Sequence, residues 1–413
     1  MSLLHNRNYI LLRSAWSVSS FGTNMQSFAL SLYVLAVTGS AVQFSLTLCM
    51  QILPSILFAP FSGFTADRFN RKMQIILYDG LSAAVVLAMF SVYQMRGRLS
   101  VAFIYSGVFL LSGINTFFNA TAGCLIQASV DPADYVRQKS VDTTISSLIA
   151  IFVPAAAGML YGFFGLTIVL LINAASFLFS AVMESLLRLP VRNMGSSPTS
   201  ADSFFEFIRD GLRYIRKSPF ILSFIVILSA LNFILPGVDV GLMTVSQKLM
   251  RLSSSTIGFE NAAISAGTLA SAAFCIFFDK KLKKASLHPI ITGDLLVTCI
   301  TFLAIGIWLK AFYISLPSAT NALVFILLNL VIVVTNGFLS INLSAQFQSN
   351  VPNERMGRTG SFVNAALLVS TPAGEIFSGV LLERLPYCAA YFAEGALCAL
   401  LFLGYLIGRR NVL

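Results

Sequence analysis

Long apolar runs, separated by mostly short polar connections, constrain this chain more than any other feature. Each run holds about 20 residues, the length that an α-helix needs to cross the hydrocarbon core of a bilayer. Only 11% of the residues are charged, whereas an ordinary soluble domain carries about 25%. Because a backbone amide in hydrocarbon must be satisfied within its own segment, the runs are predicted to be helices. We identify twelve spans, at residues 11–36, 42–64, 73–95, 101–125, 142–163, 165–187, 219–246, 255–278, 288–312, 318–344, 359–382 and 386–408.

The net charge of +10 indicates an orientation in the membrane. With the N-terminus placed inside, most basic residues fall in the inner segments, as the positive-inside rule requires. Those in the outer segments are Arg96, Arg98, Lys248, Arg251, Lys310 and Arg384. We therefore predict that both termini are cytoplasmic, and we do not expect a nucleic-acid partner.

Two halves of the chain resemble each other. Pro132 and Pro352 each follow a fourth span of their half, and Pro154 and Pro372 each lie in the next span, about 220 residues apart. A six-plus-six parallel repeat is typical of secondary transporters that bind their substrate between two lobes, near the bilayer midplane. The prediction is an all-α membrane protein with twelve helices in two pseudo-symmetric six-helix lobes.

One long polar connection divides these lobes. Residues 189–217 begin with a Gly- and Ser-containing stretch, typical of a flexible linker, and continue with an amphipathic pattern. We predict an N-terminal lobe at 1–188, a cytoplasmic linker with an amphipathic helix at 189–217, and a C-terminal lobe at 218–413.

Residues 63–72, Gly-Phe-Thr-Ala-Asp-Arg-Phe-Asn-Arg-Lys, join spans two and three. They resemble the motif G-x-L-A-D-R-x-G-R-[RK] of the major facilitator superfamily, with Thr65 and Asn70 as departures. Asn tolerates a left-handed backbone, so Asn70 is expected to keep the turn. Gly63 would permit close helix approach, Asp67 would face a helix N-terminus of the opposite lobe, and the basic side chains would lie at lipid headgroups. The resemblance implies a cytoplasmic gating motif, made of Gly63, Asp67, Arg68, Arg71 and Lys72.

Other segments resemble the macrolide-efflux and enterobactin-exporter branch of drug:proton antiporters. They are residues 6–9, 22–24, 38–41, 53–54 and 205–218. Asn24 stands where members commonly carry Asp. The antiporter motif G-P-x-x-G-G would fall on residues 153–158, where Pro154 and Gly158 remain and small residues still form a face suited to close packing.

Acidic residues inside predicted spans are functional candidates, because a charge at the bilayer centre costs about 3 kcal/mol or more. Asp239, Glu260 and Glu375 are our proton-coupling candidates. Glu394 is a weaker one, which outer vestibule water could solvate. Asp79 and Asp294 occupy matching places near the inner turns of the two halves, where we expect pairing with loop arginines.

Amides inside spans are also costly to bury, so they are candidates for a cavity, although each could instead bond a neighbouring helix. The resemblance implies that spans one, four, seven and ten line this cavity. An aromatic cavity with few hydrogen-bonding groups suits a lipophilic or amphipathic ligand. The candidates are Asn24, Gln26, Asn115, Asn119, Asn232, Asn336, Asn342, Phe117 and Phe338.

The sequence is compatible with three functions to different degrees. The first is a proton-coupled exporter of lipophilic small molecules, and the second a facilitator, an importer or a flippase for a lipid-like metabolite. The third, a membrane receptor or enzyme, lacks support because the sequence has no nucleophile–base constellation, cofactor motif or P-loop. We expect a monomer in a bacterial inner membrane, with lipids, protons and a lipophilic substrate as partners and with no cofactor or metal.

Overall fold

The computed structural model describes residues 6–130, 134–188, 213, 218–277, 287–351 and 353–409. The predicted linker and its amphipathic helix at 189–217 lie outside the described residues, apart from Arg213. Within the described ranges the regular structure is helical throughout.

The first half begins with four separate helices and a long fifth one. Asn6 caps the first helix and Asn70 caps the third, each through a side-chain oxygen that accepts a bond from the backbone N–H three residues on. Asn70 has φ of −62°, so the expected left-handed conformation is wrong: Asn serves here as an N-cap. The helices are α1 (Arg7–Thr38), α2 (Ala41–Arg68), α3 (Arg71–Arg96), α4 (Val101–Ser129) and α5 (Tyr135–Ser185).

The second half holds seven further α-helices. The predicted seventh span is divided at Pro236, whose ring cannot donate a helical hydrogen bond, and it ends in a π-helical turn at Val245–Leu249. The helices are α6 (Pro219–Ile234), α7 (Pro236–Thr244), α8 (Ser254–Phe277), α9 (Leu287–Ala311), α10 (Ser318–Asn350), α11 (Asn353–Arg384) and α12 (Tyr387–Arg409), with a short 3₁₀ turn at Tyr313–Ser315.

The helices account for all twelve predicted spans. Nine helical stretches of the described residues are long and apolar enough to cross a membrane. One of them, Arg137–Ser185, contains predicted spans five and six, which are separated at Gly165 by a left-handed φ of 71°. The remaining two spans correspond to α1 and α8, which are 32 and 24 residues long.

The chain forms two compact units. The first contains Met1–Gly39, Leu46–Ser197 and Ser253–Ala262, and the second contains Ser40–Ser45, Pro198–Leu252 and Ala263–Leu413. In the first unit, α5 packs on α1 and α3, and α3 packs on α4. In the second, α9 packs on α10 and α12, and α11 packs on α6 and α7. The lobe boundaries drawn from the sequence stay a prediction.

Candidate functional site

A small polar cavity lies inside the first unit, among α1, α3, α4 and the second arm of α5. We call it the polar pocket; its volume is about 50 Å³. Two of the predicted amides, Asn24 and Asn115, line it together with Asp79. Its full lining is Trp16, Ser19, Ser20, Thr23, Asn24, Asp79, Ser82, Asn115, Phe118 and Phe177.

Asp79 has a different neighbour from the one expected. Its side chain is 3% exposed, and among the described residues the only ion pair joins Arg13 to Asp142. The predicted arginine partner is therefore wrong for Asp79. The charge within electrostatic reach is another acid, Glu184, near the end of α5 and 1% exposed. The packing of α3 on α5 places the two acids on neighbouring helices, within electrostatic reach of each other.

Glu184 is a residue that the sequence reasoning missed. It lies within predicted span six, so the rule applied to Asp239 and Glu260 would have selected it too. Its place, one residue before the helix ends, made it resemble an ordinary acid at a membrane surface.

The other predicted residues of the first unit join neighbouring side chains. Gln26 is buried outside the polar pocket, where its Oε1 accepts a 2.6 Å bond from Asn173. Asn119 donates to Asn115 over 3.2 Å and accepts from the Trp16 indole over 3.4 Å. Phe117 packs against Phe58 and Tyr78, with ring centroids 5.9 and 6.0 Å apart. These contacts connect α1, α2, α3 and α4 around the pocket.

Two of the three predicted amides of the second unit, Asn232 and Asn342, form local hydrogen bonds. Asn232 donates to the Leu228 carbonyl and accepts a 3.4 Å bond from Thr371 on α11. Asn342 donates to the Phe338 carbonyl over 2.8 Å. The Phe338 ring makes an edge-on contact with Phe274 of α8. Asn336 lies on α10 and is half-buried.

The three predicted proton-coupling acids lie on three helices and differ in exposure. Asp239 is exposed on α7, and Glu375 is 7% exposed on α11. Glu260 is 1% exposed on α8 and belongs to the first unit. Glu394 is buried on α12, where its Oε1 accepts a 2.6 Å bond from Ser378. Asp294 is also buried, on α9.

The turn between α2 and α3 is held by backbone carbonyls. The Lys72 ammonium donates to the carbonyl oxygens of Ser185 and Leu187, each over 2.7 Å, and Arg71 Nε donates to the Ala66 carbonyl over 2.9 Å. Lys72 and Arg71 thus bind carbonyl oxygens at helix ends, where unsatisfied carbonyls attract cations. The expected placement at lipid headgroups stays a prediction. The Arg68 guanidinium lies 4.4 Å from the centre of the Phe64 ring.

The structure says less about Gly63 and Asp67, the other two residues of the predicted gating motif. A Cβ built at Gly63 would meet nothing within 4 Å among the described residues, so that part of the chain shows no close helix approach at Gly63. The Asp67 side chain lies outside the described part of the chain, and its gating role stays a prediction.

A second cavity of the first unit is an apolar groove of about 690 Å³, between α1 and the two arms of α5. We call it the apolar groove. No sequence pattern predicted this groove, because its lining belongs to apolar runs that would suit a lipid-facing helix equally well. The lining consists of Ser17, Val18, Phe21, Gly22, Ile145, Leu148, Ile149, Phe152, Ile172, Ala175, Ser176 and Phe179.

Comparison with known proteins identifies the class of protein. The family model "Major Facilitator Superfamily" matches residues 15–375. The chain belongs to this superfamily. It is 25% identical to the MFS-type transporter YfiS of Bacillus subtilis, over 98% of this chain and 94% of YfiS. It is also 21% identical to macrolide efflux protein A of Streptococcus pyogenes, over 92% of this chain and 91% of that protein.

Solved structures share the fold. A bacterial homologue of the iron transporter ferroportin in an inward-facing state matches with a TM-score of 0.71 and 17% identity, covering 98% of this chain and 99% of that one. A POT family transporter in complex with 5-aminolevulinic acid matches with a TM-score of 0.73 and 11% identity, covering 98% and 97%.

These comparisons confirm the predicted all-α major facilitator fold and the resemblance to the macrolide-efflux branch. The protein is a multi-pass membrane transporter. Its structural relatives are less than 25% identical, so they define the fold and leave the cargo open.

Proposed function

We propose that this transporter is a proton-coupled exporter of lipophilic or amphipathic small molecules, working by alternating access. The observation that carries the proposal is the apolar groove in the first unit. The chain is similar to macrolide efflux protein A, whose name states efflux of macrolides, and this similarity supports export as the direction of transport.

The chemistry of the apolar groove favours a ligand that needs few hydrogen bonds. Its two hydroxyl groups are already engaged: Ser17 donates to the Arg13 carbonyl over 2.7 Å, and Ser176 donates to the Asn173 carbonyl over 2.8 Å. The volume of about 690 Å³ lies within the range of about 300–1,000 Å³ that is typical of sites for drug-sized ligands.

The floor of the groove is tightly packed. A Cβ added to Gly22 would lie 2.3 Å from Ser176 Oγ, so α1 and the second arm of α5 are in direct contact there. A ligand of the groove would therefore rest on a rigid surface of two helices and make dispersion contacts with Phe21 and Phe152.

Proton coupling is proposed to use Asp239, Glu260 and Glu375. A carboxyl group in hydrocarbon is costly when charged, so uptake and release of a proton would change the free energy of the two transport states. In this proposal the transporter is a monomer in a bacterial inner membrane, has both termini in the cytoplasm and uses no cofactor.

Transport into everted membrane vesicles tests the proposal. The lipophilic dye Hoechst 33342 should accumulate when a pH gradient, acid inside, is imposed, and collapse of the gradient should release it. Asp239→Asn, Glu260→Gln and Glu375→Gln should reduce this accumulation. Wild-type accumulation that ignores the gradient would overturn coupling and favour a facilitator or a flippase. If the wild-type protein moves neither the dye nor a labelled phospholipid, the lipophilic cargo is wrong.

A further inference from the structure

We propose that Asp79 and Glu184 hold one proton between them and form a second proton-coupling site, inside the first unit. The inference deepens the proposed function and rests on it for the role of the proton in transport. The existence of the shared proton can be tested without any transported compound.

The two acids form a built site and not a surface cluster. Asp79 is 3% exposed and Glu184 is 1% exposed. Asp79 Oδ2 and Glu184 Oε2 have no hydrogen-bond partner among the described residues. The fully buried hydroxyl of Ser180, one turn before Glu184, faces the Asp79 carboxyl group. Asp79 also lines the polar pocket. Buried polar atoms without partners are rare in native proteins, so they indicate that something polar binds there.

The charged residues near the pair lie on α3 itself and on the helices that surround it. On α5, Asp142 is paired with Arg13 of α1 over 3.1 Å, so neither of these charges is available to the pair. The helix α4 has no charged residue. On α3 itself, the Lys72 ammonium is bound to the carbonyl oxygens of Ser185 and Leu187.

The other charged residues of these helices lie at helix ends: Arg7 on α1, Arg71 and Arg96 on α3, and Arg137 and Lys139 on α5. Among the described residues no arginine or lysine forms an ion pair with either acid.

Two carboxylates that share a buried site cannot both ionise at low cost, as the paired acids of aspartic proteases illustrate. One proton held between the two groups leaves a single negative charge and adds one O–H donor for the acceptor oxygens. When the proton leaves, it passes to water as hydronium and leaves a second carboxylate behind. The polar pocket offers that water a place, because its volume of about 50 Å³ exceeds the share of about 30 Å³ that one water occupies in the liquid.

The pair is also connected to the turn between α2 and α3. Lys72 binds the carbonyl of Ser185, the residue that follows Glu184. A rearrangement of this turn would therefore move Glu184 relative to Asp79 and change how well the two groups share a proton. This contact links the protonation of the pair to the conformation of the transporter.

Infrared difference spectroscopy on the full chain in liposomes tests the shared proton. The carbonyl band of a protonated carboxyl group should be present in the wild-type protein at neutral pH. Asp79→Asn and Glu184→Gln should each alter that band. Glu394→Gln is the control: Glu394 is a buried acid on α12 that accepts a bond from Ser378, and its loss should alter a different component of the band. If neither Asp79→Asn nor Glu184→Gln changes the protonated-carboxyl band, the proposal is overturned.

Should those variants fail to fold, Asp79→Glu and Glu184→Asp keep both acids and shift their spacing. A displaced band then supports the shared proton, and an unchanged band overturns it.

Vesicle transport tests the role in coupling. Both neutral variants should lose accumulation of Hoechst 33342 driven by a pH gradient, yet keep exchange of the dye at equal pH on both sides. Normal gradient-driven accumulation by both variants would overturn the coupling role. If the wild-type protein ignores the gradient, the proposed function fails instead, and the infrared result still decides whether the pair holds a proton.

Discussion

The Lys72 ammonium lies 2.7 Å from the carbonyl oxygen of Ser185, and this bond joins the start of α3 to the end of α5. A second bond of the same length, to Leu187, completes the contact. The last carbonyls of a helix have no intrahelical partner and carry a partial negative charge, so a cation there stabilises the helix end. A residue of the superfamily motif thus fixes the segment that carries Glu184.

Replacing Lys72 by Met should destabilise the protein by about 1–3 kcal/mol, because two charge-assisted hydrogen bonds are lost at one helix end. Lys72→Arg keeps the charge and should restore most of that loss. Thermal unfolding in detergent measures both changes.

The control for the Lys72 variants is Arg96→Met, at the opposite and exposed end of α3, which should stay within about 0.5 kcal/mol of wild type. If Lys72→Met and Arg96→Met unfold alike, the contact with the end of α5 contributes nothing to stability.

The sequence predicted the fold well because the bilayer sets the length of each helix. Predicted span three, 73–95, corresponds to α3 (Arg71–Arg96), and span four, 101–125, to α4 (Val101–Ser129). The break between spans five and six was also located, since Gly165 tolerates the left-handed backbone found there.

Only part of the candidate site could be predicted from the sequence: its amides could be, and its pair of acids could not. Asn24 and Asn115 stood out because amides are costly in hydrocarbon, and they do meet in one pocket. The nearness of Asp79 and Glu184 depends on how α3 packs against α5, which a single sequence does not specify. The same holds for Gln26. From the sequence it could either line a cavity or bond a neighbouring helix, and the structure shows that it bonds Asn173 of α5.

The ion pair between Arg13 and Asp142 should couple α1 to the start of α5. The side chains are only 8% and 19% exposed, and Arg13 Nε lies 3.1 Å from Asp142 Oδ1. Asp142→Asn leaves a buried guanidinium without its counter-charge. Because Asp142 itself is partly exposed, the cost should be about 1–3 kcal/mol, below the 3–5 kcal/mol typical of a fully buried pair.

A double-mutant cycle isolates this coupling. Arg13→Met combined with Asp142→Asn should be more stable than the sum of the single losses predicts, as measured by thermal unfolding. Strict additivity would show that the two charges do not interact in the membrane protein.

Glycines at positions 158 and 258 allow α5 to touch the start of α8, within the first unit. A Cβ on Gly158 would lie 2.4 Å from the Ser254 carbonyl, and one on Gly258 would lie 2.4 Å from the Pro154 carbonyl. The small-residue face expected around Pro154 is thus used for close packing between α5 and α8.

Gly158→Ala and Gly258→Ala should therefore each lower the midpoint of thermal unfolding by several degrees or change the population of transport states, since backbone atoms must separate. Gly123→Ala is the control, because a Cβ there would meet no described atom within 4 Å. Cysteine cross-linking between α5 and α8 reports the change in contact. Equal behaviour of Gly158→Ala and Gly123→Ala would mean that this close contact is not maintained in the membrane.

Filling the apolar groove should block lipophilic cargo without unfolding the protein. Ala175 lines the groove and is exposed to it, so Ala175→Trp would occupy space that a ligand needs. Leu178→Trp is the matched control, since Leu178 lies on the same arm of α5, is exposed and is not part of the lining. In vesicles, Ala175→Trp should raise the Hoechst 33342 concentration needed for half-maximal accumulation about tenfold, the factor expected if about 1.4 kcal/mol of binding free energy is lost. Leu178→Trp should leave it unchanged. If both tryptophans have the same effect, the groove is only a lipid-facing depression, and the cargo binds elsewhere in the transporter.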